Sequence, residues 1–71
     1  METDKFIACR HYLGMSQSQF ADFLSISAGA VGRIESGDLR VSNRIRGKLA
    51  SKFDFDDSFA AYYRNFIRSA Q

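Results

Sequence analysis

The sequence predicts an all-α domain of five helices. Three observations carry this. Apolar residues recur at helical spacing along the whole chain, with no stretch of strand-like alternation. Caps of the Ser, Thr and Asp type precede each apolar repeat, while Gly14 and Gly37 follow two of them. No proline interrupts any of the repeats.

The first helix is expected from about Asp4 to Leu13. Thr3 serves as its N-cap, acidic Asp4 lies in its first turn, and Gly14 ends it in a left-handed conformation. Phe6, Ile7, Arg10 and Leu13 should share one face. A second helix begins after Ser16, where Gln19 completes a capping box, and it ends near Leu24. The third starts after Ser27 and stops before Gly37. Ser42 caps a fourth, which runs to about Phe53 and turns Ile45, Leu49 and Phe53 inward. Asp54, Asp56 and Asp57 form a turn and the N-cap of a fifth helix, roughly Ser58 to Ser69. Its Phe59, Tyr62, Tyr63, Phe66 and Ile67 fall at i, i+3, i+4, i+7 and i+8.

Seventy-one residues make a single domain, residues 1–71, with a small core. Cys9 is the single cysteine, so no disulfide framework exists, and a reduced thiol on the first helix is its simplest reading. The apolar runs are far shorter than the ~20 residues that a membrane span requires. No signal peptide is evident: Glu2 and Asp4 stand at the start and no apolar segment follows. An intracellular, cytoplasmic protein is expected.

Enzymatic chemistry finds little support. His11 is the lone histidine and has no accompanying nucleophile pattern. Asp54, Asp56 and Asp57 lack the central Gly and terminal Glu of a calcium loop. No catalytic residue, metal ligand or cofactor site is expected.

Charge is more informative. The net charge is only +2, but residues 27–48 hold Arg33, Arg40, Arg44, Arg46 and Lys48 against Glu35 and Asp38 alone. A local excess of cations is the electrostatic footprint of a nucleic-acid-binding face. That excess flanks residues 16–37, which read as two short helices joined by a tight turn. The small Ala21 in the first allows the second to cross closely. This is the sequence pattern of a helix-turn-helix, which lays its second helix in the DNA major groove.

The same residues resemble the lambda-repressor-like family of phage repressors, Cro proteins and Xre-type regulators. The resemblance rests on Arg10, Leu13-Gly14-Met15-Ser16-Gln17, Phe20-Ala21-Asp22-Phe23-Leu24, Ile26-Ser27, Val31, Arg33-Ile34-Glu35-Ser36-Gly37 and Leu49-Ala50, and covers roughly residues 3–59. It implies a repressor-like transcription regulator that binds a double-stranded DNA operator. It further implies a structural Arg10–Glu35 pair joining the first helix to the end of the third. Phosphate contacts are implied at Ser16, Gln17, Arg40, Asn43 and Arg44. Base contacts are implied from the first turns of the third helix, here Ser27, Ala28, Gly29, Gly32 and Arg33.

The chain departs from the family in three places. Family members commonly carry Gln, Asn, Lys or Arg near the start of the third helix, where this chain has Ala28, Gly29 and Ala30. Arg33 and Ser27 are then the only side chains there able to hydrogen-bond a base, Arg33 by a bidentate contact to guanine. Phe23 stands where a polar residue is usual, and it either covers the edge of the core or forms a contact patch for another protein. The fifth helix extends the pattern by about twelve residues. With Phe53, Phe55 and Phe59, its Tyr62, Tyr63, Phe66 and Ile67 exceed what a small core is expected to absorb: packing against the first helix accounts for some, and the rest point to a homodimer interface or a site for another protein. Two readings follow. In one, the chain binds DNA as a dimer, through phosphate contacts, Arg33 and DNA shape or through close approach of a glycine-rich helix. In the other, it is a protein-binding co-regulator or antirepressor that keeps the scaffold without DNA binding.

Overall fold

The computed structural model describes residues 3–70 and contains five helices and no strand among them. They are α1 (Thr3–Tyr12), α2 (Gln17–Leu24), α3 (Ala28–Ser36), α4 (Asn43–Lys52) and α5 (Asp57–Ala70). Local capping chemistry fixes most of their boundaries. Ser16 caps α2: its hydroxyl oxygen accepts from Gln19 N–H at 3.1 Å, and Gln19 Oε1 accepts from Ser16 N–H at 2.8 Å. Ser27 Oγ accepts from Ala30 N–H at 3.0 Å, and Ser42 Oγ from Ile45 N–H at 3.2 Å. Asp56 does the same for α5, accepting from Phe59 N–H at 2.9 Å, so this helix starts one residue earlier than expected.

Two expectations are corrected at α1. Thr3 is already helical rather than the N-cap, and what precedes it lies outside the described residues. The helix also buries more than one face. Phe6, Ala8 and Cys9 are fully buried, whereas Ile7, Arg10 and Leu13 are only half-buried. The cause is tertiary: α1 is flanked by α3 and also by α5, so it has no single inward stripe. Gly14, at φ +68°, turns the chain out of α1, and Met15 N–H closes that turn on Arg10 O at 3.2 Å.

α2 packs chiefly on α3 across a turn at residues 25–27. Phe20, Ala21 and Leu24 of α2 face Val31 and Ile34 of α3 within one core, which Phe6, Leu49 and Phe59 complete. The two helices stop by the same device. Ser25 (φ +56°) and Gly37 (φ +89°) are left-handed C-caps. The following residues then bond back into the helix, Ile26 N–H to Ala21 O and Asp38 N–H to Arg33 O, both at 2.9 Å.

α4 lies along the end of α2. Lys48 Nζ donates to Ser25 O at 3.4 Å, and Lys52 Nζ stands 5.6 Å above the Phe23 ring. α5 returns to cover α1. Tyr12 is the hub of this contact, with its ring 5.9, 5.4 and 5.1 Å from those of Phe53, Phe59 and Tyr62 in edge-to-face geometry. No helix among the described residues is long and apolar enough to cross a membrane.

Candidate nucleic-acid interface

Burial of Val31 and Ile34 sets the rotation of α3 about its axis. Gly29 and Arg33, one turn apart, then face outward, with Ala28 and Ser36 exposed beside them. This outer surface is nearly bare. A Cβ placed on Gly29 would have Ser27 Oγ as its nearest neighbour at 4.0 Å, so the space above it is open. The Arg33 side chain makes no ion pair among the described residues. Ser27 is exposed at the start of the helix. Its oxygen caps Ala30, which leaves its hydroxyl hydrogen to donate elsewhere.

Behind this surface lies a clasp that joins three helices. Arg10 holds Glu35 with two bonds, Nε to Oε2 at 2.6 Å and Nη2 to Oε1 at 2.9 Å. Its Nη1 also donates to Met15 O at 3.0 Å, and its Nη2 lies 3.2 Å from His11 Nε2. The side chains of Arg10 and Glu35 retain 16% and 9% of their exposure, so water screens the pair only partly. The arrangement joins α1 to the end of α3, the geometry expected of the Arg10–Glu35 pair.

Gln17 completes the clasp from α2, donating its side-chain Nε2 to Glu35 Oε1 at 3.1 Å. One of its two amide hydrogens is therefore engaged with Glu35, while the second remains free to donate to an anion, which the exposed carbonyl oxygen cannot do. A phosphate contact at this residue has a further donor in the backbone N–H. Ser16 N–H and Gln19 N–H are taken by the capping box. The amides of Gln17 and Ser18, at the positive end of the α2 dipole, have no partner within the helix and are the groups suited to phosphate. The Gln17–Glu35 bond joins residues eighteen apart in the sequence. No local pattern announces it, and the sequence reading misses it.

The remaining arginines of this region are exposed. Arg40 is exposed in the loop between α3 and α4, Asn43 and Arg44 are exposed in the first turn of α4, and Arg46 is exposed two residues later. Among the described residues Arg10–Glu35 is the only salt bridge, so none of these arginines is neutralised by a carboxylate. Arg44, Lys48 and Lys52 repeat every four residues and share one face of α4. Lys52 lies over Phe23 and Lys48 reaches Ser25 O, so this face follows the end of α2. Arg44 lies one turn before Lys48 on the same face of α4.

The aromatic residues assigned to an interface sit mostly within the protein's own packing. Phe23 is half-buried, stacked on Phe20 at 6.1 Å with Lys52 above it. Tyr62, Tyr63 and Phe66 are half-buried against the core. Phe66 stands 5.6 Å from the His11 ring, Tyr63 stacks on Phe59 at 5.9 Å, and Lys5 Nζ covers Tyr63 at 5.8 Å. Ile67 is half-buried near the end of α5. α1, through Lys5, His11 and Tyr12, supplies the surface against which part of this stripe packs, and Tyr62, Tyr63, Phe66 and Ile67 each keep an outer part. Tyr12 and Phe55 are left as the exposed large apolar side chains among the described residues, each at 38%.

No cluster of three or more metal-ligating side chains occurs among the described residues. Burial pushes the Cys9 thiol up to about 12, against a smaller opposing effect of Lys5, so it is a protonated core residue at neutral pH. Comparison with models of protein families, with curated proteins and with solved structures finds no match to this chain.

Proposed function

We propose that the chain is a DNA-binding transcription regulator of the lambda-repressor-like, repressor type, with α3 as its reading helix. The observation that carries this reading is the set of exposed, unneutralised cations at Arg33, Arg40, Arg44 and Arg46. They accompany a helix whose outer face presents no bulk that would hold it out of a groove. Phosphate is met by the Gln17 and Ser18 amides, by Arg40 and Arg44, and by Asn43 and Ser16 at the helix starts. Base readout falls to Arg33 on guanine, with Ser27 and the methyl of Ala28 beside it, Gly29 permitting close approach. DNA shape supplies what so few direct contacts cannot. A two-fold dimer on a palindromic site belongs to the same reading. The edges left to it are Tyr12, Phe55, Ile67 and the outer parts of Tyr62 and Phe66.

The test is a fluorescence anisotropy titration of the full chain against mixed duplex fragments at low salt, repeated as salt is raised. Binding that weakens linearly in the logarithm of salt concentration supports the reading. Absence of binding at low salt, where even sequence-independent attraction operates, refutes it. One observation favours a second reading, a protein-binding co-regulator on the same scaffold. The flat surface at Ala28 and Gly29 would suit close packing against another polypeptide as well as a groove. Failure to bind duplex, together with saturable binding of one defined partner regulator, would establish it instead.

A further inference from the structure

The outer face of α3 offers very few polar atoms to a base edge, and the geometry points to Gln17 of α2 as the residue that supplies the missing acceptor. Its side-chain Oε1 is a specificity-determining contact to the exocyclic amino group of one base, adenine N6 or cytosine N4. This inference rests on the proposal that α3 meets duplex DNA.

Three observations converge on it. The Gln17 amide has a fixed orientation: Nε2 donates to Glu35 Oε1 at 3.1 Å, and Arg10 fixes that carboxylate by two bonds of 2.6 and 2.9 Å. Flipping the amide would set its oxygen against a carboxylate oxygen, two acceptors facing each other. The orientation also puts Oε1 over α3. A Cβ built on Gly32 would stand 3.6 Å from it, so Oε1 occupies the ground that a longer side chain at position 32 would fill. Gly32 lies one turn after the exposed Ala28, on the strip next to Gly29 and Arg33. Finally, Oε1 accepts no hydrogen bond among the described residues, although Gln17 is exposed.

The oxygen of this amide has a narrow choice on DNA, whatever the second Nε2 hydrogen, left free by Glu35, goes on to bind. Phosphate oxygens repel it. In the major groove the exposed donors are the amino groups of adenine and cytosine. The empty position at Gly32 and the oriented amide at Gln17 therefore act together: the vacancy on α3 admits a reading group from α2.

The experiment selects duplexes from a randomised pool with the full wild-type chain. It then measures affinities for the selected duplex and each of its single-base variants, using wild type and Gln17→Met, which keeps similar bulk without the acceptor. Circular dichroism checks that the variant is folded. The expected result is a preference of about 10-fold for adenine or cytosine at one position, absent in Gln17→Met while the other positions keep theirs. Replacing that base by its analogue without the amino group should weaken wild type by the same factor and leave Gln17→Met unchanged. Equal weakening of Gln17→Met on every duplex, or no change on any, overturns the inference while the DNA-binding proposal stands. Failure of wild type to retain any duplex overturns both.

Discussion

Glu35→Ala is the substitution whose cost the structure specifies most closely. The carboxylate accepts three hydrogen bonds, two from Arg10 and one from Gln17. A fully buried pair broken on one side costs about 3–5 kcal/mol, and an exposed pair about 0–1 kcal/mol. With 16% and 9% of side-chain exposure remaining, this pair lies between those limits but nearer the first. Arg10 keeps its bond to Met15 O and its contact with His11 Nε2 after the change, which softens the loss. The expected cost is therefore about 2–3 kcal/mol. In a domain of this size that lowers Tm by roughly 10–20 °C. The assay is urea denaturation followed by far-ultraviolet circular dichroism at pH 7, on wild type, Glu35→Ala, Arg10→Met and the double variant. The double variant should cost less than the sum of the single changes, because one interaction is removed in all three. A cost for Glu35→Ala under about 0.5 kcal/mol, or strict additivity, would refute the claim that this pair secures α3 against α1.

Other substitutions probe separate parts of the molecule. Ser25 holds a left-handed conformation at φ +56° that costs a non-glycine residue about 1–2 kcal/mol. After the extra chain entropy of glycine is counted, Ser25→Gly should stabilise the fold by about 0.5–1 kcal/mol, readable as a higher urea midpoint at unchanged slope. Cys9 should resist thiol reagents at pH 8 except through unfolding, so its labelling rate should rise in step with loss of helicity in urea. Its pKa is raised by burial to about 12 in the folded state. Its stabilising contribution is thus complete below the unfolded thiol's pKa near 9 and is lost as pH rises from there through 12, where the unfolded chain releases a proton that the folded chain keeps. Alkaline denaturation should shift upward in Cys9→Ala if the void this leaves is discounted by comparing each protein with its own value at pH 7. On DNA, Arg44→Ala should weaken all sequences alike and lower the salt slope by about 1, whereas Arg33→Ala should cost about 1–3 kcal/mol and relax preference at one position. Sedimentation over a concentration series tests the dimer, which a strict monomer at high concentration would contradict.

The parts of this fold that were legible in the sequence are those encoded within a turn of helix. Ser16 with Gln19, Ser27 and Ser42 each announce a helix start because a hydroxyl reaches an amide three residues on, a contact that spacing alone specifies. Gly37 marks the end of α3 for a comparable reason, since the left-handed cap favours glycine. Where several elements meet, the pattern becomes ambiguous. α1 shows no clean apolar stripe because α3 and α5 cover different sides of it. Its burial of Ala8 and Cys9 follows from tertiary position rather than periodicity. The aromatic stripe of α5 is plain in the sequence, but its destination is not: the same spacing serves an exterior interface or a surface supplied by Lys5, His11 and Tyr12. At the candidate interface, the charge excess in residues 27–48 and the bare start of α3 are both read directly. The engagement of Gln17 with Glu35 is not, since it depends on how α2 crosses α3.

The central claim is that duplex DNA meets α3 and the ends of the helices beside it. Mapping backbone amide chemical shifts during titration of the 8.0 kDa chain with duplex tests this most directly. The account predicts perturbations at Gln17–Gln19, Ser27–Arg33 and Arg40–Arg44, with the outer face of α5 around Arg64 and Arg68 unaffected. Shifts centred on α5, or none at low salt, would contradict it.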